Sequence, residues 1–200
     1  MNEHELITAL YAWQSIETME TLVTRLGRQL GTDVFQRRGR SYREAFIALR
    51  LAKALGECEV RLLMEANDTP TPDFEVRING VIKKYETTEA DIPGRRRQAE
   101  YRQPRPDGVE PVVFTSLEVM VEHMRDLAAK KSLKSYTECF GLVIYLNAPA
   151  FFFNPQMRMA QLKTATEPAS SAFEEVWVVR DKGVMLWQSG RFLGHIPDDF

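Results

Sequence analysis

The chain has 200 residues, the size of a single domain that buries about 70% of its unfolded surface and folds without disulfide or metal. Apolar residues make up 44% and charged residues 27%, which excludes a disordered chain. The 26 basic and 28 acidic side chains leave a formal net charge of −2, which excludes a histone-like polybasic protein but not a local phosphate-binding patch.

From the N-terminus, Leu6, Leu10, Trp13, Ile16, Met19, Leu22, Val23, Leu26 and Leu30 recur every three or four positions. They predict one long amphipathic helix over residues 4–30, stopped by Gly31. This helix is expected to pack outside the main core or against another subunit, so residues 1–40 read as a helical extension and self-association runs through 4–30. A basic connector with Arg37, Arg38 and Arg40 follows. Ser41-Tyr42-Arg43-Glu44 matches a capping box and opens a second helix that ends at Gly56.

The period then turns extended. Residues 58–66 read as a strand and 67–72 as a loop. Residues 74–78 and 81–87 are strands joined by Asn79-Gly80, a strong hairpin signal because both residues accept positive φ. Residues 90–111 form a polar, Arg-rich connection with one helical piece at 95–102. Thr115-Ser116-Leu117-Glu118 looks like a second capping box, opening a third helix with stripe Leu117, Met120, Val121, Met124 and Leu127. Lys130 and Lys131 suit the C-terminal end of that helix. Residues 140–146 form an apolar strand buried on both faces. Residues 147–173 are irregular, with a short helix at 157–164, and 176–179 and 184–187 close a hairpin over Asp181-Lys182-Gly183. The expected class is α/β: from residue 41, helix, three-strand antiparallel meander, helix, strand, then a C-terminal β-hairpin.

A two-residue turn at Asn79-Gly80 sets the register. Ile78 faces Val81, Arg77 faces Ile82, Val76 faces Lys83, Glu75 faces Lys84 and Phe74 faces Tyr85. Phe74, Val76, Ile78, Val81 and Tyr85 are expected to cover the core. On the other face, Asp73 lands opposite Glu86, with Glu75, Lys84 and Thr88 beside them. Opposed like charges destabilise a sheet. A divalent cation bound by both carboxylates offsets the repulsion and can activate water against a phosphate. Open strand ends in water would equally tolerate the pair, because solvent and salt screen it.

Pro72-Asp73, a hairpin, then Glu86-Thr87-Thr88 resembles the signature of the PD-(D/E)XK, restriction-endonuclease-like superfamily. The resemblance covers residues 41–147, and the element order is similar. It implies metal-dependent hydrolysis of nucleic acid in the domain 41–200, with Mg²⁺ or Mn²⁺ on Asp73 and Glu86. It also implies a third acid from the first core helix, for which Glu44 is the candidate, although Glu44 equally completes the capping box at Ser41. The family lysine falls on Thr88, whose hydroxyl carries no charge. Three explanations stand: Lys84 supplies the cation, an arginine from Arg95-Arg96-Arg97 does, or the site is inactive and the domain only binds. Arg37, Arg38, Arg40 and Arg43 make one basic cluster, and Arg95, Arg96, Arg97, Arg102 and Arg105 another; both suit phosphate contacts. Gln98-Ala99-Glu100-Tyr101 resembles a glutamine–tyrosine motif of the superfamily with shorter spacing.

Cys58 and Cys139 lie beside apolar runs and read as buried thiols. His4, His123 and His195 show no zinc spacing. The opening Met-Asn-Glu-His-Glu has no basic leader, and the apolar run 143–153 is broken by Asn147 and Pro149. The expectation is a soluble, cytoplasmic protein without a membrane span.

Overall fold

The structure, a computed structural model, describes residues 1–35, 39–64, 70–92, 116–136, 138–147, 159–180, 184–188 and 191–196. Several sequence features lie outside these residues. They are the arginines at 37, 38, 95, 96, 97, 102 and 105, the helical piece at 95–102, the glutamine–tyrosine segment and the turn at 181–183.

Helix α1 (Glu3–Leu10) starts on a complete capping box. Asn2 accepts from Glu5 N, and the Glu5 carboxylate accepts from Asn2 N. The expected single helix over 4–30 is broken here. Strand β1 (Gln14–Ser15) intervenes before α2 (Ile16–Leu30). Three side chains end the first helix and start the second. The Gln14 amide donates to Ala9 O at 2.9 Å, and Ser15 caps α2 by accepting from Thr18 N. Trp13 is stacked under the guanidinium groups of Arg61 and Arg77, 4.6 and 4.5 Å from its ring centre. The apolar period runs through both helices, which is why the break is hidden.

A 3-10 turn (Gly31–Phe35) leads to α3 (Arg40–Leu55). Its N-cap is Gly39, not Ser41, and no side chain caps it. A Cβ at Gly39 would sit 2.3 Å from Val34 O, so the chain passes only with glycine there. Ser41 lies in the first turn with its hydroxyl 3.3 Å from the Tyr11 hydroxyl. The capping box at Ser41 therefore does not form, and Glu44 is released from that duty.

Strands β2 (Glu59–Leu62), β3 (Phe74–Ile78) and β4 (Val81–Asp91) form the antiparallel meander, with β1 on its outer edge. All five cross-strand pairs expected from the Asn79-Gly80 turn are present, from Ile78 with Val81 to Phe74 with Tyr85. Asn79 and Gly80 both have positive φ, 50° and 81°. The core face differs at its tip: Phe74, Val76 and Tyr85 are fully buried, but Val81 at the hairpin end is 60% exposed.

Helix α4 (Leu117–Ser132) follows, and its cap is Ser116, accepting from Val119 N, one residue later than the expected box. Strand β5 (Gly141–Asn147) pairs parallel with β4 and with β6 (Glu175–Arg180). Helix α5 (Met159–Thr166) and a 3-10 turn (Glu167–Ala169) precede β6. Antiparallel β7 (Val184–Gln188) then pairs with β8 (Arg191–Ile196), a strand absent from the expectation. The result is a mixed eight-stranded sheet in sequential order.

Two apolar clusters lie on the two faces of this sheet. Leu6, Leu10, Met19 and Leu26 share one of them with Val60, Phe74 and Val143. The first helices are thus packed on the sheet rather than outside it, and the stripe assigned to self-association is buried within the chain. Met120, Met124 and Ala128 of α4 share the other cluster with Leu142, Ile144 and Val176. Strand β5 contributes to both, as a strand buried on both faces must. No helix among the described residues is long and apolar enough to cross a membrane.

Both thiols are half-buried and free. Burial, assisted by Glu59, pushes Cys58 up to about 11; burial, assisted by Glu86, pushes Cys139 up to about 12. The unfolded chain gives up these protons first, so stability falls as pH rises above the ordinary thiol range of about 8.5. Alkylation by iodoacetamide at pH 8 is expected to be at least about a hundredfold slower in the folded than in the denatured chain. Equal rates would show that the thiols are not shielded.

Candidate active site

Strand β3 begins only at Phe74, whereas its neighbour β4 runs on past that point to Asp91. Pairing extends one step further through Asp73 N, which donates to Tyr85 O at 2.9 Å. Asp73 therefore ends the shorter strand beside Glu86 on the longer one. Both carboxylates are buried, at 8% and 4% exposure. Asp73 Oδ2 accepts from both Thr87 N and the Thr87 hydroxyl at 2.7 Å. Those two donors fix the carboxylate at the strand end and leave Oδ1 turned towards Arg40, 3.6 Å away.

Helices from both faces complete the site. In an antiparallel helix–strand unit, the start of α3 lies above the end of β2, next to Asp73. Arg40 in its first turn pairs with Glu44 at 2.5 Å and reaches Asp73. On the other side, Glu86 lies level with Leu142 near the start of β5. The helix feeding that strand must end beside Glu86, and its last turn carries Lys131, whose ammonium is bonded to Glu86 Oε1. These groups line a cleft of about 580 Å³. Arg40, Arg43 and Glu44 form one wall; Lys131, Lys134 and Tyr136 form the other; Asp73 and residues 86–89 form the floor.

Burial is the main force raising the proton affinity of Glu86, and the neighbouring Asp73 adds to it. Lys131 and Tyr136 oppose them, without cancelling the rise. The Tyr136 hydroxyl is buried beside Glu86 but makes no hydrogen bond of good geometry. Burial and the nearby Glu86 carboxylate hold that phenol well above its usual range.

Of the residues singled out from sequence, Asp73, Glu86, Thr88, Glu44 and Arg40 line one cleft. Lys84 does not. Although it shares a strand face with Glu86, its ammonium pairs with Glu138 at 2.7 Å, over the exposed loop before β5. The cation on Glu86 is Lys131, expected from sequence only to suit the C-terminal end of its helix. Arg43 lines the cleft while its guanidinium is bonded to Val34 O.

Among the described residues, no three His, Cys, Asp or Glu side chains gather as a metal-ligand set, and Glu44 is held by Arg40 rather than joined to the other two acids. Two adjacent hard carboxylates nevertheless fit an ion that keeps most of its waters, as Mg²⁺ does, and do not fit a zinc or an all-protein calcium cage. Comparisons with models of known protein families, with curated proteins and with solved structures find no significant match.

Two outcomes follow from this geometry. Thr87→Val removes one charge-assisted donor from Asp73 and is expected to destabilise the fold by about 2 kcal/mol in urea unfolding; an unchanged midpoint would mean that the hydroxyl does not hold the acid. Because the folded pKa of Glu86 is raised, its ionisation costs stability as pH climbs above the unfolded value of about 4.3. The stability of Glu86→Gln relative to the native chain is therefore expected to improve between about pH 4 and pH 8 in calorimetric melting, as pH rises from the unfolded pKa through the raised folded one. A relative stability of the variant that falls over the same range would mean that Lys131 outweighs burial.

Proposed function

We propose that the chain is a divalent-metal-dependent nuclease that hydrolyses phosphodiester bonds, built on a PD-(D/E)XK-like core. The observation that carries this reading is the buried Asp73–Glu86 pair with a lysine ammonium on it, at the floor of a cleft walled by further cations. The order of α3, the β2–β4 meander, α4 and β5, with Asp73 just before β3 and Glu86 within β4, supports this reading by its similarity to that superfamily's core.

Asp73 and Glu86 are the residues that would hold Mg²⁺ or Mn²⁺. Such an ion, when bound, supplies a Lewis acid for water and phosphate. Thr87 keeps the Asp73 carboxylate oriented through its N–H and hydroxyl. Lys131 replaces the family lysine missing at Thr88: its ammonium comes from α4 instead of β4 and places a positive charge where negative charge grows on a phosphate under attack. Arg40 and Lys134, on opposite walls, are suited to flanking phosphates. The floor is acidic and the walls are basic, an arrangement that draws in a polyanion and still repels it from bare carboxylates.

One observation favours a second reading, a catalytically inactive module that binds nucleic acid or a protein. Both acids already have cationic partners within the chain, Arg40 for Asp73 and Lys131 for Glu86.

Single- and double-stranded DNA and RNA incubated with Mn²⁺ discriminate between them. Cleavage is expected with the native chain, is expected to vanish in Asp73→Ala and Glu86→Ala, and to fall by about 10²–10³-fold in Lys131→Met. Cleavage that persists in both acid variants would displace the site. Salt-sensitive binding without cleavage would establish the inactive module.

A further inference from the structure

We infer that Lys131 is a displaceable counter-ion: a divalent cation and the Lys131 ammonium compete for Glu86, so the site is loaded by exchanging one cation for another. The inference rests on the reading of Asp73 and Glu86 as the metal ligands.

The argument starts from charge. Two carboxylates buried side by side cannot both stay ionised without a positive partner. Asp73 has two donors from Thr87 and a longer contact to Arg40. Glu86 has Lys131, which is itself four-fifths buried. The ammonium therefore already provides at Glu86 the compensation that a metal ion would bring. Adding a second, doubly charged cation to the same buried carboxylate places two cations side by side, and they repel each other at such short range. One of them must leave. Lys131 is able to do so. It sits in the last turn of α4 on a flexible four-carbon stem, just before Leu133, which is 86% exposed, and the cleft beside it is open to solvent. Asp73 Oδ2, tied to the backbone of β4, has no such freedom. Release of the ammonium from Glu86 frees its charge for an incoming phosphate, so the same exchange that admits the metal also delivers the cation.

A structural ion pair and a competitor behave in opposite ways. If Lys131 only positions Glu86, removing it weakens metal binding or leaves it unchanged. If it competes, removing it strengthens metal binding. The experiment titrates Mn²⁺ into the full chain at pH 8 by calorimetry, with melting used to show that each variant is folded. Lys131→Met and Lys131→Gln are expected to lower the Kd for Mn²⁺ at least fivefold, while Lys131→Arg, which keeps the charge, binds no more tightly than the native chain. Lys53→Met, which breaks a comparably buried lysine's pair with Glu20 at 2.7 Å, serves as the control with native affinity. A second measurement needs no variant: reductive methylation mapped by mass spectrometry is expected to modify Lys131 faster when Mn²⁺ is present. Equal or weaker Mn²⁺ binding in the neutral variants, or an unchanged methylation rate, overturns the competition and leaves the metal site standing. Failure of the native chain and every variant to bind Mn²⁺ overturns both.

Discussion

Everything in this molecule that suggests chemistry depends on two carboxylates held side by side at the point where a short strand ends and its neighbour runs on. Bringing such groups together away from water costs several kcal/mol per ion unless they are compensated. The chain compensates from three directions. Thr87 donates twice to Asp73 from the adjacent strand, Arg40 approaches from α3, and Lys131 approaches from α4. None of these partners is close to the acids in sequence except Thr87. The site is therefore a product of the whole α/β/α arrangement, not of the hairpin alone.

A second buried carboxylate shows what complete compensation looks like. Glu175, at the start of β6, accepts from the Tyr85 hydroxyl at 3.1 Å and the Trp177 indole at 2.8 Å, and pairs with Lys83 at 2.9 Å. Lys83 also lies 4.2 Å from the Phe140 ring centre. These three donors neutralise and hold the acid, which ties β4 to β6 across the close-packed start of β5. A Cβ on Gly141 would come within 2.7 Å of the Tyr85 ring, so the strand there is thin by necessity. At Glu86 the cationic partner is the Lys131 ammonium from α4, and the neighbour is another acid. The contrast separates a carboxylate built to hold the sheet from one built to exchange partners.

The register of the β3–β4 hairpin was legible because a two-residue turn with two positive φ values leaves no freedom in it; every pair from Ile78–Val81 to Phe74–Tyr85 follows from Asn79-Gly80, whereas the strands expected at 58–66 and 81–87 prove to be 59–62 and 81–91. The double burial of β5 was legible from its unbroken apolar run. What was not legible depended on contacts distant in sequence. The break at residues 11–15 needs Trp13 to find Arg61 and Arg77, and the apolar period alone runs straight through it. The start of α3 was misplaced because Gly39 must pass close to Val34, which overrides a good serine cap. Lys84 was the natural candidate for the missing lysine because it shares a strand face with Glu86, but the left-handed turn at Glu138, with φ of 58°, brings an exposed carboxylate to it instead. Lys131 could have been found by one further step: parallel pairing of β4 with β5 forces the helix between them to end beside Glu86.

The decisive measurement is an anomalous difference map from crystals soaked in Mn²⁺. If the carboxylates are a metal site, a peak lies between Asp73 and Glu86 with an oxygen of each as ligand, and the Lys131 ammonium has left Glu86. A map with no peak there, in crystals that take up manganese at other carboxylates, would reduce the pair to a structural feature of the sheet end and remove the basis for phosphate chemistry.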